Sequence, residues 1–168
     1  KLLLMMDVGG SMEPYAQLVE HLFSAAHASR HLKDFRFYFF HNCVYGKVYQ
    51  DNWLQEGVRT GDVMRKFDER YKLLLVGDAS MAPSELMDPW GALYRYENDP
   101  ECGRDWLLRL ARRWPRAAWL NPEPPQAWRH GTAAVTGRIF PMFPLTLDGL
   151  DAAIRALVGA KGAARPLT

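Results

Sequence analysis

The sequence predicts an α/β fold: a doubly wound, Rossmann-like, mostly parallel sheet with one antiparallel edge strand and helices on both faces. Three observations carry this prediction. Leu2 to Met6 and Leu73 to Val76 are short unbroken apolar runs, as parallel strands buried on both faces require. Helical stripes of apolar residues separate such runs along the chain. The aromatic run Phe35 to Phe40 passes through His41-Asn42 into Val44 to Tyr49, a hairpin-like step that predicts the antiparallel edge.

Each element follows in order. A helix is expected from about Glu13 to Leu32, where Tyr15, Leu18, Val19, Leu22, Phe23 and Ala26 form one stripe. Ser11 is placed to cap it, and Pro14 lies in its first turn, where a missing N–H costs nothing. Thr60 or Asp62 opens a short helix through Phe67, and Pro83 to Met87 reads as a helical turn. Gly103 to Trp114 is a helix with Trp106, Leu107, Leu110, Ala111 and Trp114 on one side, stopped by Pro115. Ala117 to Leu120 is a strand ending in Asn121-Pro122-Glu123-Pro124-Pro125. Ile139 to Leu147 is extended but broken by Pro141 and Pro144. Asp148 caps a last helix with Leu150, Ile154, Leu157 and Val158 inward, and Gly159 to Thr168 reads as a disordered tail. Residues 1–158 thus form one domain, and a chain starting on Lys1 directly at a strand reads as the C-terminal fragment of a longer protein.

Composition excludes several classes. The chain has 168 residues, 48% hydrophobic and 24% charged, which is the balance of a globular domain and not of a disordered one. Its net charge of +2 is too small to drive nucleic-acid or membrane binding by bulk charge. Cys43 and Cys102 stand apart with no C-x-x-C spacing, so they read as free structural thiols in a reducing cytosol. His21, His27 and His31 recur along the first helix with one i,i+4 pair and without the carboxylate of H-E-x-x-H, so metal binding is not expected there.

In an open α/β sheet the functional crevice lies beyond the carboxyl ends of the strands. Asp7, Asp78 and the Asn121 turn all fall there. Asp7-Val8-Gly9-Gly10-Ser11 sets a carboxylate, two glycines and a hydroxyl between a buried strand and a helix. Carboxylate and hydroxyl oxygens two to four residues apart can share a hard cation such as Mg²⁺, which keeps several waters. The same residues can instead merely satisfy the turn and cap the helix, and spacing alone leaves both readings open.

Strand-D-x-G-x-S-helix, a Thr some fifty residues on and a later strand ending in Asp resemble a von Willebrand factor type A domain. The resemblance runs over nearly the whole chain. It implies a metal-ion-dependent adhesion site (MIDAS) at Asp7, Ser11, Thr60 and Asp78, holding Mg²⁺ or else Mn²⁺ or Ca²⁺. Gly9 stands where the family's motif has its first Ser, so one hydroxyl ligand is missing and metal binding is expected to be weak or conditional. More narrowly, D-V-G-G-S-M, F-H-N-C-V-Y, L-V-G-D-A-S-M, W-L-N-P and F-P-L-T-L-D-G-L resemble a bacterial, CoxE-like subgroup. That resemblance implies a cytoplasmic protein acting beside a MoxR-type AAA+ ATPase.

The implied function is non-enzymatic: a protein-interaction module whose ion accepts an acidic residue of a partner. A degenerate domain binding partners without metal is the alternative, and a metal-dependent phosphatase-like enzyme is a further one. The phosphatase reading lacks the second Asp it needs at Gly9, and neither a P-loop, a dinucleotide fingerprint nor a G-x-S-x-G elbow occurs. Trp90, Tyr94 and Tyr96 lie in a loop after the Asp78 strand end, where they serve either packing or partner contact.

Overall fold

A computed structural model describes residues 1–28, 34–93 and 99–159. Its centre is a seven-stranded sheet. The strands are β1 (Leu2–Asp7), β2 (Phe35–Phe40), β3 (Lys47–Tyr49), β4 (Gly57–Arg59), β5 (Lys72–Val76), β6 (Ala117–Asn121) and β7 (Met142–Pro144). They lie in the order β4-β3-β2-β1-β5-β6-β7, so the first apolar run occupies the middle of the sheet. β2, β1, β5, β6 and β7 run parallel, while β3 pairs antiparallel with both β2 and β4. The architecture is α/β and Rossmann-like.

Alternate residues of the central strands feed two cores, because successive side chains point to opposite faces. On one face Leu3, Met5, Leu73, Leu75 and Trp119 pack into a cluster that reaches α2 (Thr60–Lys66), α4 (Gly103–Arg113) and α5 (Gly131–Ile139). On the other, Leu2, Leu4, Leu74, Val76, Ala118 and Leu120 meet Leu22 and Phe23 of α1 (Ala16–Ala28) and Leu150, Ala153 and Leu157 of α6 (Leu147–Val158). A five-residue helix, α3 (Pro83–Met87), follows β5. No helix among the described residues is long and apolar enough to cross a membrane.

The structure corrects the expected element boundaries in several places. The outermost strand is β4, not Val44 to Tyr49; only Lys47–Tyr49 pairs, while Val44 and Tyr45 are a buried approach to it. The first helix opens as a 3₁₀ turn over Gly10–Tyr15, and α-helix begins only at Ala16. Ser11 therefore lies inside that turn, which has no side-chain cap. The last helix is capped by Thr146, whose hydroxyl accepts the Gly149 N–H at 3.0 Å, and Asp148 sits within its first turn. Helix α5 was not expected at all, and the expected extended segment from Ile139 to Leu147 reduces to β7. Expectations for residues 29–32 of the first helix, for the His27 side chain and His31, for Tyr94 and Tyr96, and for the tail from residue 160 lie outside the described residues. His21 is exposed, and Cys43 and Cys102 are buried free thiols.

Candidate functional site at the carboxyl ends of β1 and β5

β1 ends on Asp7, level with Phe40 of β2 and one residue past the Met6–Val76 pair with β5. That register sets Asp7 beside Gly77. A Cβ at Gly77 would stand 3.0 Å from the Asp7 Cβ and 3.3 Å from its Oδ2, so the glycine lets the two strand ends close together. The next residue, Asp78, shares the cleft; both carboxylates are only 5% exposed.

The frame around them is hydrogen-bonded on each side. Asn42 donates its backbone N–H to Asp7 Oδ1 at 2.9 Å, and Ser80 donates its N–H to Asp78 Oδ1 at 2.8 Å. Asn121 at the end of β6 donates Nδ2 to the Asp78 carbonyl at 2.7 Å, while Trp119 Nε1 donates to the Gly77 carbonyl at 2.7 Å. The Thr132 hydroxyl of α5 donates to the Ala79 carbonyl at 2.8 Å, pinning a loop in which Ala79 has φ +58°. His41 Nδ1 donates to the Val8 carbonyl at 2.7 Å.

A third carboxylate joins them. Glu85 of α3 is 2% exposed, and its Oε2 accepts the Ala82 N–H at 2.9 Å. The Asn42 side-chain amide donates to both Glu85 oxygens at 3.1 and 3.3 Å. Burial pushes the Asp7 carboxyl well above the ordinary carboxylate range. The Asn42 N–H opposes that rise, while the negative charges of Asp78 and Glu85 add to it. None of the ion pairs among the described residues includes Asp7, Asp78 or Glu85.

The residues singled out in the sequence are distributed unevenly. Asp7 and Asp78 come together. Ser11 lies four residues beyond Asp7 on the exposed 3₁₀ turn, whose first bond runs from the Met12 N–H to the Gly9 carbonyl at 3.0 Å. Thr60 leaves β4 at the same end of the sheet, but β3 and β2 intervene between it and β1. Its side chain is fully buried, and its hydroxyl donates to the Tyr45 carbonyl at 2.5 Å. Among the described residues no group of three or more His, Cys, Asp and Glu side chains is arranged to hold a metal ion. Trp90 is 61% exposed in the loop beyond α3.

Sequence reasoning missed Glu85 and the bridging role of Asn42. Pro83-Ser84-Glu85 did carry a signal, since an acidic residue at the third helical position commonly turns back to the N-cap N–H. Nothing in the spacing ties it to Asp7. No protein-family model, no curated protein and no solved structure matches the chain.

Proposed function

We propose that this domain is a non-enzymatic protein-interaction module whose binding face lies over Asp7 and Asp78, with a hard divalent cation such as Mg²⁺ shared between them. The observation that supports this most is geometric: Asp7 and Asp78 lie at the carboxyl ends of neighbouring parallel strands, both are buried, and no ion pair among the described residues includes either of them. A divalent ion offsets both the burial cost and the mutual repulsion of such a pair. The donor set is all oxygen, as Mg²⁺ prefers, and too sparse to surround the ion without waters. Asp7, Asp78 and the Ser11 hydroxyl would hold it; Thr60, engaged with Tyr45 and separated from β1 by two intervening strands, would serve the fold. When bound, the ion supplies an electrophilic position for one carboxylate oxygen from outside.

The partner follows from that chemistry: an acidic residue of another protein. The resemblance of the strand-end motifs to the CoxE-like type A domains points to a MoxR-type AAA+ ATPase as its bearer. The enzyme alternative gains no support from the site, since among the described residues the hydrogen bonds around Asp7 join no hydroxyl or thiol to a base and involve no lysine.

Calorimetric titration with Mg²⁺ and Mn²⁺ on the wild type and on Asp7→Ala decides between this module and a metal-free one. Binding heat lost in the variant supports the shared ion, and no heat in either protein rejects it in favour of the metal-free module. Capture of the ATPase by the wild type should then be abolished by chelator.

A further inference from the structure

We infer that a second interaction surface, independent of the cation, lies between α1 and the outer face of β2, and that it takes an amphipathic helical segment of another protein carrying an apolar stripe flanked by Lys or Arg. The groove has a volume of about 930 Å³. Its floor is the side of β2 on which Phe35, Phe37 and Phe39 follow one another, with ring centroids 6.2 and 5.7 Å apart. Phe37 is 48% exposed there, which is unusual for a residue in the third position of a central-region strand. The wall is α1, with Val19 and Phe23 facing the groove and Phe23 stacked on Phe35 at 6.5 Å.

The mouth is built to present an aromatic anchor. Trp53 is 77% exposed and lines the groove together with Leu54. Their loop is rigidly tied: the Asp51 carboxylate accepts the N–H groups of Trp53 at 2.9 Å, Gln55 at 3.1 Å and Glu56 at 2.6 Å. Leu54 is held at φ +58°, a conformation that a leucine adopts only at a cost. A large bare indole on a pre-ordered loop has lost little entropy still to lose, which is the property of an interface hot spot.

Charge selects the occupant. Among the described residues lining the groove, Glu13 and Glu20 are exposed acids and none is Lys or Arg; Asp7 also lines it but is only 5% exposed and adds no rim charge. An acidic or purely neutral segment gains nothing from that rim, whereas a basic flank is attracted to it. The lining comes from the α1 face, from the sheet face carrying Phe35, Phe37 and Phe39, and from the Asn52–Leu54 loop, not from a strand edge, so an occupant of the groove is held by side chains and not by an added ladder. A helix laid in a groove is the remaining mode.

The test uses two designed peptides of about 15 residues with one leucine stripe at helical spacing, one with Lys and one with Glu on the polar face. The Leu/Lys peptide is expected to bind, measured by Trp fluorescence anisotropy of a labelled peptide, and to weaken with salt and by about tenfold in Trp53→Ala and in Phe37→Gln. Glu13→Gln with Glu20→Gln should weaken it several-fold, and chelator should leave it unchanged, which separates this surface from the cation site. Equal binding of both peptides, or affinity unaltered in Trp53→Ala, overturns the inference; so does absence of binding, or concentration-dependent self-association abolished by Trp53→Ala, which would make a second copy the occupant. Circular dichroism confirms folding, and Trp53 is exposed enough that its loss leaves the core intact.

Discussion

Asn42 bridges two buried carboxylates, giving its backbone N–H to Asp7 at 2.9 Å and its side-chain amide to Glu85 at 3.1 Å. It does so from φ +57°, where asparagine is tolerated far better than most residues. Asn42→Gly keeps the backbone bond and the turn but loses the amide. Asn42→Ala loses the amide and is strained as well, so it should be less stable than Asn42→Gly by about 1 kcal/mol. Urea unfolding of the two variants measures the gap, and equal midpoints would contradict the role assigned to the turn.

Asp7 sets an expected pH dependence for the metal-free protein. Its folded pKa is raised chiefly by burial, so the folded state holds this proton more tightly than the unfolded chain. Its contribution to stability is fully present below the unfolded carboxyl pKa and is lost as pH rises through the folded value. Without divalent ions, stability at neutral pH should therefore be lower than in mild acid. Asp7→Asn keeps an acceptor for the Asn42 N–H and removes the charge, so it should stabilise the metal-free protein at neutral pH and erase its response to Mg²⁺. Thermal unfolding across pH with and without Mg²⁺ reads both effects.

Gly9 has φ +78° and ψ 179°, a region that glycine alone occupies comfortably. The glycine in D-x-G-x-S is thus a requirement of this backbone and not simply an absent ligand. Restoring the hydroxyl with Gly9→Ser should cost about 1–3 kcal/mol and should not tighten Mg²⁺ binding. Tighter binding with undiminished stability would show that the turn can rearrange.

Thr60→Val separates fold from site. The variant removes the Thr60 hydroxyl bond to the Tyr45 carbonyl, a loss of about 1 kcal/mol. Its Mg²⁺ titration should match the wild type. A selective loss of binding with normal stability would return Thr60 to the ion.

Much of this was legible from short-range pattern. Leu2 to Met6 and Leu73 to Val76 read as buried strands because nothing but a sheet interior accepts such runs between turns, and Asp7 and Asp78 were visible because they end those runs. Gly57-Val58-Arg59 was not legible as β4, since three residues carry no period and pairing with β3 decides them. Nor was α5: Gly131-Thr132-Ala133-Ala134-Val135-Thr136-Gly137 has small side chains and weak helix formers, and its buried Thr132 and Thr136 matter through long-range bonds. Ser11 looked like a helix cap because the 3₁₀ turn at Gly10–Tyr15 delays the helix to Ala16. Glu85 joins the acid cluster through Asn42, a contact spanning 43 positions that no local spacing encodes.

The two borders of the sheet are each closed off to recruitment of another chain's backbone. β4 and β7 are three residues long, and β7 is preceded by Pro141 and ends on Pro144, which can offer no amide proton. Neither border is a template on which a foreign strand could grow. The longer strands β1 and β5 lie inside, paired along both sides. A partner that met this protein by strand addition would therefore find only three-residue ladders at either border.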